Sequence, residues 1–295
     1  MRNPKIFVNP AAGGGKGRRV ASAVVQYLGE RGLKAPMVMS RGPTDMTRQV
    51  SRAAVEGVHT FIVVGGDGSV SEAVNGMLAA GCRGALGIVP VGTGNDFLKS
   101  LGVAPKWRQA CDVMLANQAG RTIDVGRVGN RFFVNTLGVG LDAQVTLAAE
   151  GVRVLRGDMV YAFALLKALL AGIRTPTVRL RHDTGEIEQP MTLIAVCNGE
   201  WEGGRFHVAP QARLDDGLLD VVFADRLDRR GVLRLVPKVM RGTHLDAPTV
   251  THLRTRRVHI EAAEPMPVHA DGEIIDRGAR TLEVEVLPNA LRALV

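Results

Sequence analysis

The chain has 295 residues, 46% of them hydrophobic and 22% charged, with three cysteines and a formal net charge of +8. Its length suits two domains at roughly 100 to 200 residues each, its apolar content excludes intrinsic disorder, and Cys82, Cys111 and Cys197 lie too far apart for a disulfide framework or a paired zinc site. The positive charge favours an anionic partner such as nucleotide phosphate or an acidic lipid surface, whereas 4% aromatics offer few stacking platforms, so nucleic acid is set aside as a partner.

From residue 5 to about 125, short apolar runs alternate with longer amphipathic ones: 6–8 then 18–32, 35–39 then 46–57, 60–64 then 69–81, and 85–90 then 95–102. The alternation predicts βαβα, hence a mainly parallel sheet covered by helices, with ligands bound at the carboxyl ends of its strands. After Asp124 the rhythm changes. Strands are predicted at 131–137, 177–182, 191–197, 218–223 and 256–262, with helices near 142–173 and 229–241, Pro237 interrupting the second or marking its edge. The expected fold is α/β: a parallel α/β domain over 1–125, with 287–295 packing back on it, and a β-rich, sandwich-like domain over 126–286, with a cleft between the two. The first residues run straight into an apolar strand, leaving no room for a signal segment. The most apolar run, 159–173, is broken by Lys167 and is shorter than the ~20 residues of a spanning helix. Three cysteines and no leader suggest a reducing, cytoplasmic setting.

Three loops at predicted strand ends carry the chemistry. Residues 61–69 run from a buried strand into Gly65-Gly66-Asp67-Gly68-Ser69, where glycines admit a phosphate close to the backbone and the helix start offers unpaired N–H groups. Ser69 suits the N-cap, with Glu72 completing a capping box. An aspartate inside such a turn repels phosphate unless a metal intervenes, which suggests Mg²⁺. The second loop is Gly92-Thr93-Gly94-Asn95-Asp96, where Asn95 or Asp96 can also be read as a simple helix cap. The third, 9–17, is glycine-rich and carries Lys16. A G-x-x-x-x-G-K-[ST] phosphate loop is absent from the sequence. Residues 138–143 match G-x-G-x-x-A, but they lie in the β-rich half without a following βαβ unit and are not read as a dinucleotide site.

Asn-Pro-x-x-Gly at 9–13, Gly-Gly-Asp-Gly-Ser at 65–69, Gly-Thr-Gly-Asn-Asp-Phe at 92–97, Asp-Asp-Gly-Leu-Leu-Asp at 215–220 and Asp271-Gly272-Glu273 appear in one order along nearly the whole chain. In this the sequence resembles the soluble lipid kinases related to diacylglycerol and sphingosine kinases. Gly-Gly-Asp-Gly alone is shared with NAD kinases and phosphofructokinases, so an NAD kinase and a non-catalytic relative remain alternatives.

The resemblance implies an ATP site built from Asn9, Pro10, Ala11, Ala12 and Gly13, from Gly65, Gly66, Asp67, Gly68, Ser69, Val70 and Ser71, and from Thr93 and Asn95. Ser40 and Ser69 stand where the family commonly has threonine, and both keep the hydroxyl. It further implies a carboxylate, water and Mg²⁺ network at Asp67, Asp96 and Asp124, although Asp124 also reads as a strand-end cap. A second Mg²⁺ is implied at Asp216 with the carbonyls of Arg213 and Leu218, where an ordinary Asp-Gly turn is the plainer reading. Glu273 is implied as the general base for a lipid hydroxyl, positioned by Asp271 and Gly272, which otherwise read as a hairpin turn. The implied activity is phosphorylation of a lipid hydroxyl, with diacylglycerol foremost. Residues 198–206 could line an entrance for the lipid between the domains. Arg226, Arg229, Arg230, Arg234, Lys238 and Arg241 form a basic amphipathic stretch suited to an anionic bilayer at the inner face of the membrane, with a solvated helix face as the alternative. A homodimer is left open.

Overall fold

The computed structural model describes residues 1–103, 105–150 and 158–295, with backbone alone at 158–162. It forms two compact units, residues 1–125 with 287–295, and residues 126–286.

The first unit alternates strand and helix: β1 (Pro4–Val8), α1 (Ala12–Glu30), β2 (Met37–Met39), α2 (Asp45–Val55), β3 (Thr60–Gly65), α3 (Asp67–Ala79), β4 (Ala85–Pro90), α4 (Asp96–Ser100), α5 (Trp107–Ala116) and the start of β5 (Arg121–Val128). The strands are ordered β2-β1-β3-β4 and all pair in parallel. Every residue of β3 and β4 is buried, as a parallel sheet with helices on both faces requires. Ile6, Val8, Ile62 and Val64 of the sheet pack with Val24 and Leu28 of α1 and Met114 of α5. The closing run, too short to place by pattern, is a further parallel strand: Arg292 and Ala293 pair with Ala85 and Leu86. In α1 the residues Gly13, Gly14 and Gly15 all have left-handed φ of 59°, 67° and 88°, so regular helix begins only at Lys16 and the expected glycine loop precedes it.

One capping expectation is corrected. Helix α3 starts at Asp67 with Gly66 at its N-cap, which leaves Ser69 inside the first turn. Glu72 does not cap its own helix. Its carboxylate accepts the amides of Thr44, Met46 and Thr47 at 3.1, 3.0 and 3.3 Å, and so caps α2 from the neighbouring helix. Thr44 sits at a left-handed φ of 63° with no side-chain cap of its own, which is why a tertiary partner serves. Replacing Glu72 by Ala leaves these donors bare and is expected to cost about 2 kcal/mol, read as a lower urea midpoint with an unchanged slope.

The second unit continues with β6 (Arg131–Phe133), β7 (Thr136–Gly140), α6 (Leu141–Ala149), α7 (Asp158–Ala171), β8 (Thr177–His182), β9 (Gly185–Cys197), β10 (Trp201–Glu202), β11 (Phe206–His207), β12 (Leu219–Asp225), α8 (Arg229–Arg241), a 3₁₀ turn at His244–Asp246, β13 (Val250–Thr255), β14 (Arg257–Ala270) and β15 (Glu273–Ala293). Its strand pairs are antiparallel. β9 and β14 each change partners along their length: β9 pairs with β8 and then with β7, and β14 does the same. The four strands thereby close on themselves around Phe133, Leu137, Leu180, Ile194, Ile260 and Val268, while β12 and β13 extend outward from β9. This is the β-rich architecture expected after Asp124.

The helix expected over 142–173 is two helices, α6 and α7, and 151–157 lie outside the described residues. Pro237 neither interrupts α8 nor marks its edge. Asp228 caps the helix start, accepting the Gly231 amide at 2.7 Å, and Gly242 ends it at φ 69°. The carbonyl that Pro237 leaves without its helical donor belongs to Leu233, on the exposed face, where water can serve it. No helix among the described residues is long and apolar enough to cross a membrane.

Candidate active site

The three glycine loops of the first unit meet at the carboxyl ends of β1, β3 and β4. Asn9 joins the first two: its Oδ1 accepts the Ala11 amide at 3.0 Å, and its Nδ2 donates to Ser69 Oγ at 3.0 Å. Gly13 packs against the third loop so closely that a Cβ would lie 2.0 Å from the Val91 carbonyl oxygen. Gly66 and Gly92 touch backbone to backbone, and a Cβ on Gly92 would fall 2.6 Å from Gly66 Cα. Such approaches explain why glycine stands at these positions. The junction leaves Ala11, Gly14, Lys16, Gly68 and Thr93 exposed, whereas Ser69, Val70 and Ser71 are buried on α3. Pro10 and Ala12 are half-buried beside Asn9, and Ser40 is buried where β2 ends, its amide bonded to the Val8 carbonyl at 2.9 Å.

Two acids of this junction interact. The Phe97 amide donates to Asp67 Oδ1 at 3.3 Å, and the amides of Asp96 and Asn95 also hold that carboxylate. Burial, followed by the like charge of Asp96, pushes the Asp67 carboxyl above its ordinary range, with those amides opposing. Asp96 is itself buried and pairs with Lys99 Nζ at 2.9 Å. Asn95 does not cap α4 with its side chain; it adopts a left-handed φ of 51° and donates Nδ2 to the Gly92 carbonyl at 3.1 Å. Asp124 is buried, and its Oδ1 accepts the Asn289 amide at 2.8 Å.

In the second unit, Asp271 and Gly272 form a two-residue hairpin loop between β14 and β15, both at positive φ (48° and 79°), with Ala270 facing Glu273. The Asp271 carboxylate turns inward and accepts three successive amides, Val134 at 3.0 Å, Asn135 at 2.8 Å and Thr136 at 3.2 Å, and so fixes the turn that presents Glu273. Glu273 remains accessible and forms an ion pair with Arg131. Burial pushes the Asp271 carboxyl up to about 6 from 3.8, against the lowering influence of its three amides and Arg131. Between about pH 4 and 6 the folded protein holds a proton that the unfolded chain has released, so this group's contribution makes stability fall as pH rises through that window. Urea denaturation across it is expected to show a component of about 2–3 kcal/mol that disappears in Asp271→Asn.

Asp216, expected at a second Mg²⁺ site, lies in a turn. One carboxylate oxygen accepts the Leu218 amide at 3.1 Å and the other pairs with Arg254, while the Arg213 side chain lies 3.7 Å from Asp215. The Asp-Gly pair there forms a turn, and a guanidinium faces the Asp216 carboxylate.

A cluster that sequence reading missed lies deeper in the second unit. His269 is fully buried, with Nε2 at 3.2 Å from Asp142 Oδ2 and 3.0 Å from Glu202 Oε1, and the Gly272 amide donates to its Nδ1 at 3.3 Å. Among the described residues these three form the group of acidic and imidazole side chains tight enough to share a ligand. Gly138, opposite His269 in register, makes room for them: a Cβ there would lie 2.2 Å from both His269 Nε2 and Asp142 Oδ2. The G-x-G-x-x-A stretch therefore owes its first glycine to this packing. The available sequence signal was Asp142, two residues after that glycine pair.

Residues 4–128 match the diacylglycerol kinase catalytic domain, and residues 135–295 match the YegS C-terminal NAD kinase beta sandwich-like domain. A diacylglycerol kinase of Mycobacterium tuberculosis is 32% identical over 98% of this chain and 93% of its own. A "Probable lipid kinase YegS-like" protein of Chromohalobacter salexigens is 32% identical over 78% of this chain and 74% of its own. A crystal structure of a diacylglycerol kinase from Bacillus anthracis str. Sterne superposes with a TM-score of 0.78 at 23% identity, covering 99% of this chain and 96% of that one. A second structure from the same organism reaches a TM-score of 0.81 at 25% identity, covering 99% and 94%. The chain belongs to the diacylglycerol kinase and YegS-like family of lipid kinases, which are phosphotransferases.

Proposed function

We propose that this protein transfers the γ-phosphoryl group of ATP to the free hydroxyl of diacylglycerol, giving ADP and phosphatidic acid. The observation that carries the reading is the junction of three glycine loops around Asp67 and Asp96, set where a parallel sheet places its ligands. There the backbone amides of the loops and the exposed Thr93 hydroxyl receive the phosphates and hold them without a covalent enzyme intermediate. Asp67 and Asp96 fit a divalent cation, since one carboxyl is burdened by burial and by the charge of the other. Mg²⁺, when bound, supplies neutralisation of the triphosphate. Glu273 takes the proton of the lipid hydroxyl as its oxygen bonds to the γ-phosphorus and the bond from that phosphorus to the β-phosphate's bridging oxygen breaks. Arg131 orients Glu273 through their ion pair, and Asp271 fixes the hairpin that carries it.

The reading extends to an anionic membrane. The outward side of α8 exposes Arg229, Arg230, Arg234, Lys238 and Arg241 with Leu233 and Met240, and α7 exposes Phe163, Leu166 and Leu170. Basic and apolar groups together suit peripheral binding to an acidic bilayer. Incubation with labelled ATP, Mg²⁺ and a panel of diacylglycerol, sphingosine, phosphatidylglycerol and NAD tests the assignment. Label on diacylglycerol is expected; label on NAD alone, or on nothing, refutes it.

A further inference from the structure

A pocket of about 420 Å³ lies wholly within the first unit, at the amino ends of β3 and β4, where Thr60 and Ala85 line it. Each strand has six residues, so the glycine loops at their carboxyl ends lie about 17 Å away at ~3.3 Å per residue. Arg2, His59, Arg83 and Arg292 also line it, brought from the chain ahead of β1, the residue before β3, the α3–β4 loop and the end of β15. Among the described residues that line the pocket there is no Asp or Glu, and none of the three guanidiniums is paired with a carboxylate. Elsewhere the chain answers its arginines: Arg179 and Arg181 on β8 lie among Glu186, Glu188 and Glu261. The backbone that carries the cations is fixed. The Arg2 carbonyl accepts Thr60 Oγ1 at 3.1 Å, the His59 carbonyl accepts the Ala85 amide at 2.8 Å, and Arg292 pairs in register with Ala85. The stem of Arg292 packs on Gly120, where a Cβ would lie 3.2 Å from its Cγ.

We propose that this pocket binds the phosphate groups of an anionic ligand through Arg2, Arg83 and Arg292, with His59 as a further donor, at a place separate from the glycine loops. Like charges gathered around one cavity repel, and an anion seated among them turns that repulsion into attraction. The guanidinium is the side chain suited to the task, because its planar fork of N–H donors matches phosphate oxygens in pairs. The volume falls within the ~300–1,000 Å³ of small-molecule sites, more than a single ion requires. Together with three guanidiniums it fits a ligand carrying two phosphates, or one phosphate and an organic part. Because the backbone of these segments is already held, little ordering opposes binding. All three arginines and His59 are exposed, so the ligand reaches them from solvent. A soluble phosphorylated molecule and a phosphate-bearing lipid headgroup share this chemistry. The site does not rest on the lipid-kinase reading, since no step of phosphoryl transfer uses the amino ends of these strands.

Isothermal titration of the full-length protein with inorganic pyrophosphate, without Mg²⁺ or nucleotide, tests the soluble source. Sedimentation with phosphatidylcholine vesicles, with and without phosphatidic acid, tests the headgroup. Saturable binding of pyrophosphate is expected. Combining Arg83→Gln with Arg292→Gln should weaken it about tenfold or more. Both positions are exposed, so the melting temperature of the ligand-free protein should not change. Arg108→Gln removes the same charge from α5, outside the pocket, and should leave the affinity within about twofold. Gly92→Ala parts the glycine loops at the far ends of the strands and should leave this binding event equally unaffected. Binding of phosphatidic acid vesicles alone, with the same dependence on Arg83 and Arg292, supports the site and assigns it to a headgroup. Saturable binding of neither probe, an equal loss in Arg108→Gln, or a loss in Gly92→Ala with the double variant unchanged overturns the proposal. The two readings fail separately, because absence of label transfer to diacylglycerol refutes the kinase reading and leaves these titrations as they are.

Discussion

Glu273→Gln is expected to lower kcat for diacylglycerol phosphorylation by about 10²- to 10⁴-fold, the range a positioned general base contributes. The substitution preserves size and can still accept from Arg131, so folding and the KM for ATP should be unchanged. A neutral alcohol attacks phosphorus poorly, and the carboxylate matters only as the proton leaves, so the loss belongs in kcat and not in binding. Steady-state kinetics with saturating lipid separates the two. Turnover within a few-fold of the unsubstituted enzyme would remove Glu273 from this role.

Gly92→Ala is expected to have the second large effect. Its Cβ would lie 2.6 Å from Gly66 Cα and 3.1 Å from Asn95 Oδ1, and the first of these contacts is with backbone that cannot rotate away. The two loops must part, which costs about 1–3 kcal/mol of stability. On the proposed function it also disturbs the loops that receive the phosphates, and ATP affinity should fall about tenfold or more. Isothermal titration with a non-hydrolysable ATP analogue reads the affinity, and urea denaturation reads the stability. Gly29→Ala, with open space around its Cβ, is the control and should be neutral or slightly stabilising. If Gly92→Ala behaves like this control, the loops do not form one cradle.

Local order was the legible part of this sequence. The apolar runs at 60–64 and 85–90 announced buried parallel strands because both faces of such a sheet are covered, and the glycine and aspartate clusters after them marked turns at strand ends. Helix α8 was legible in its span of 229–241. Relations between distant residues were not legible. Glu72 sits at the spacing of a capping box yet serves α2, because the donors it meets come from another helix. β15 carries charges on much of its 21-residue length and lacks clean alternation, so its pairing with β14 and, at its far end, with β4 leaves little trace in composition. Asp216 sits in a local Asp-Gly turn, and its partner Arg254 lies 38 residues away. Asp142, Glu202 and His269 come from three elements, and only the pairing of β7 with β14 brings two of them together.

The proposed function requires that the three glycine loops of the first unit form one nucleotide site. Hydrogen exchange with and without Mg²⁺ and a non-hydrolysable ATP analogue tests it most directly. Protection is expected to concentrate in the amides of 9–17, 65–72 and 91–97, appearing together at one ligand concentration. Protection confined to one loop, or centred elsewhere in the chain under conditions where the protein phosphorylates lipid, would contradict it.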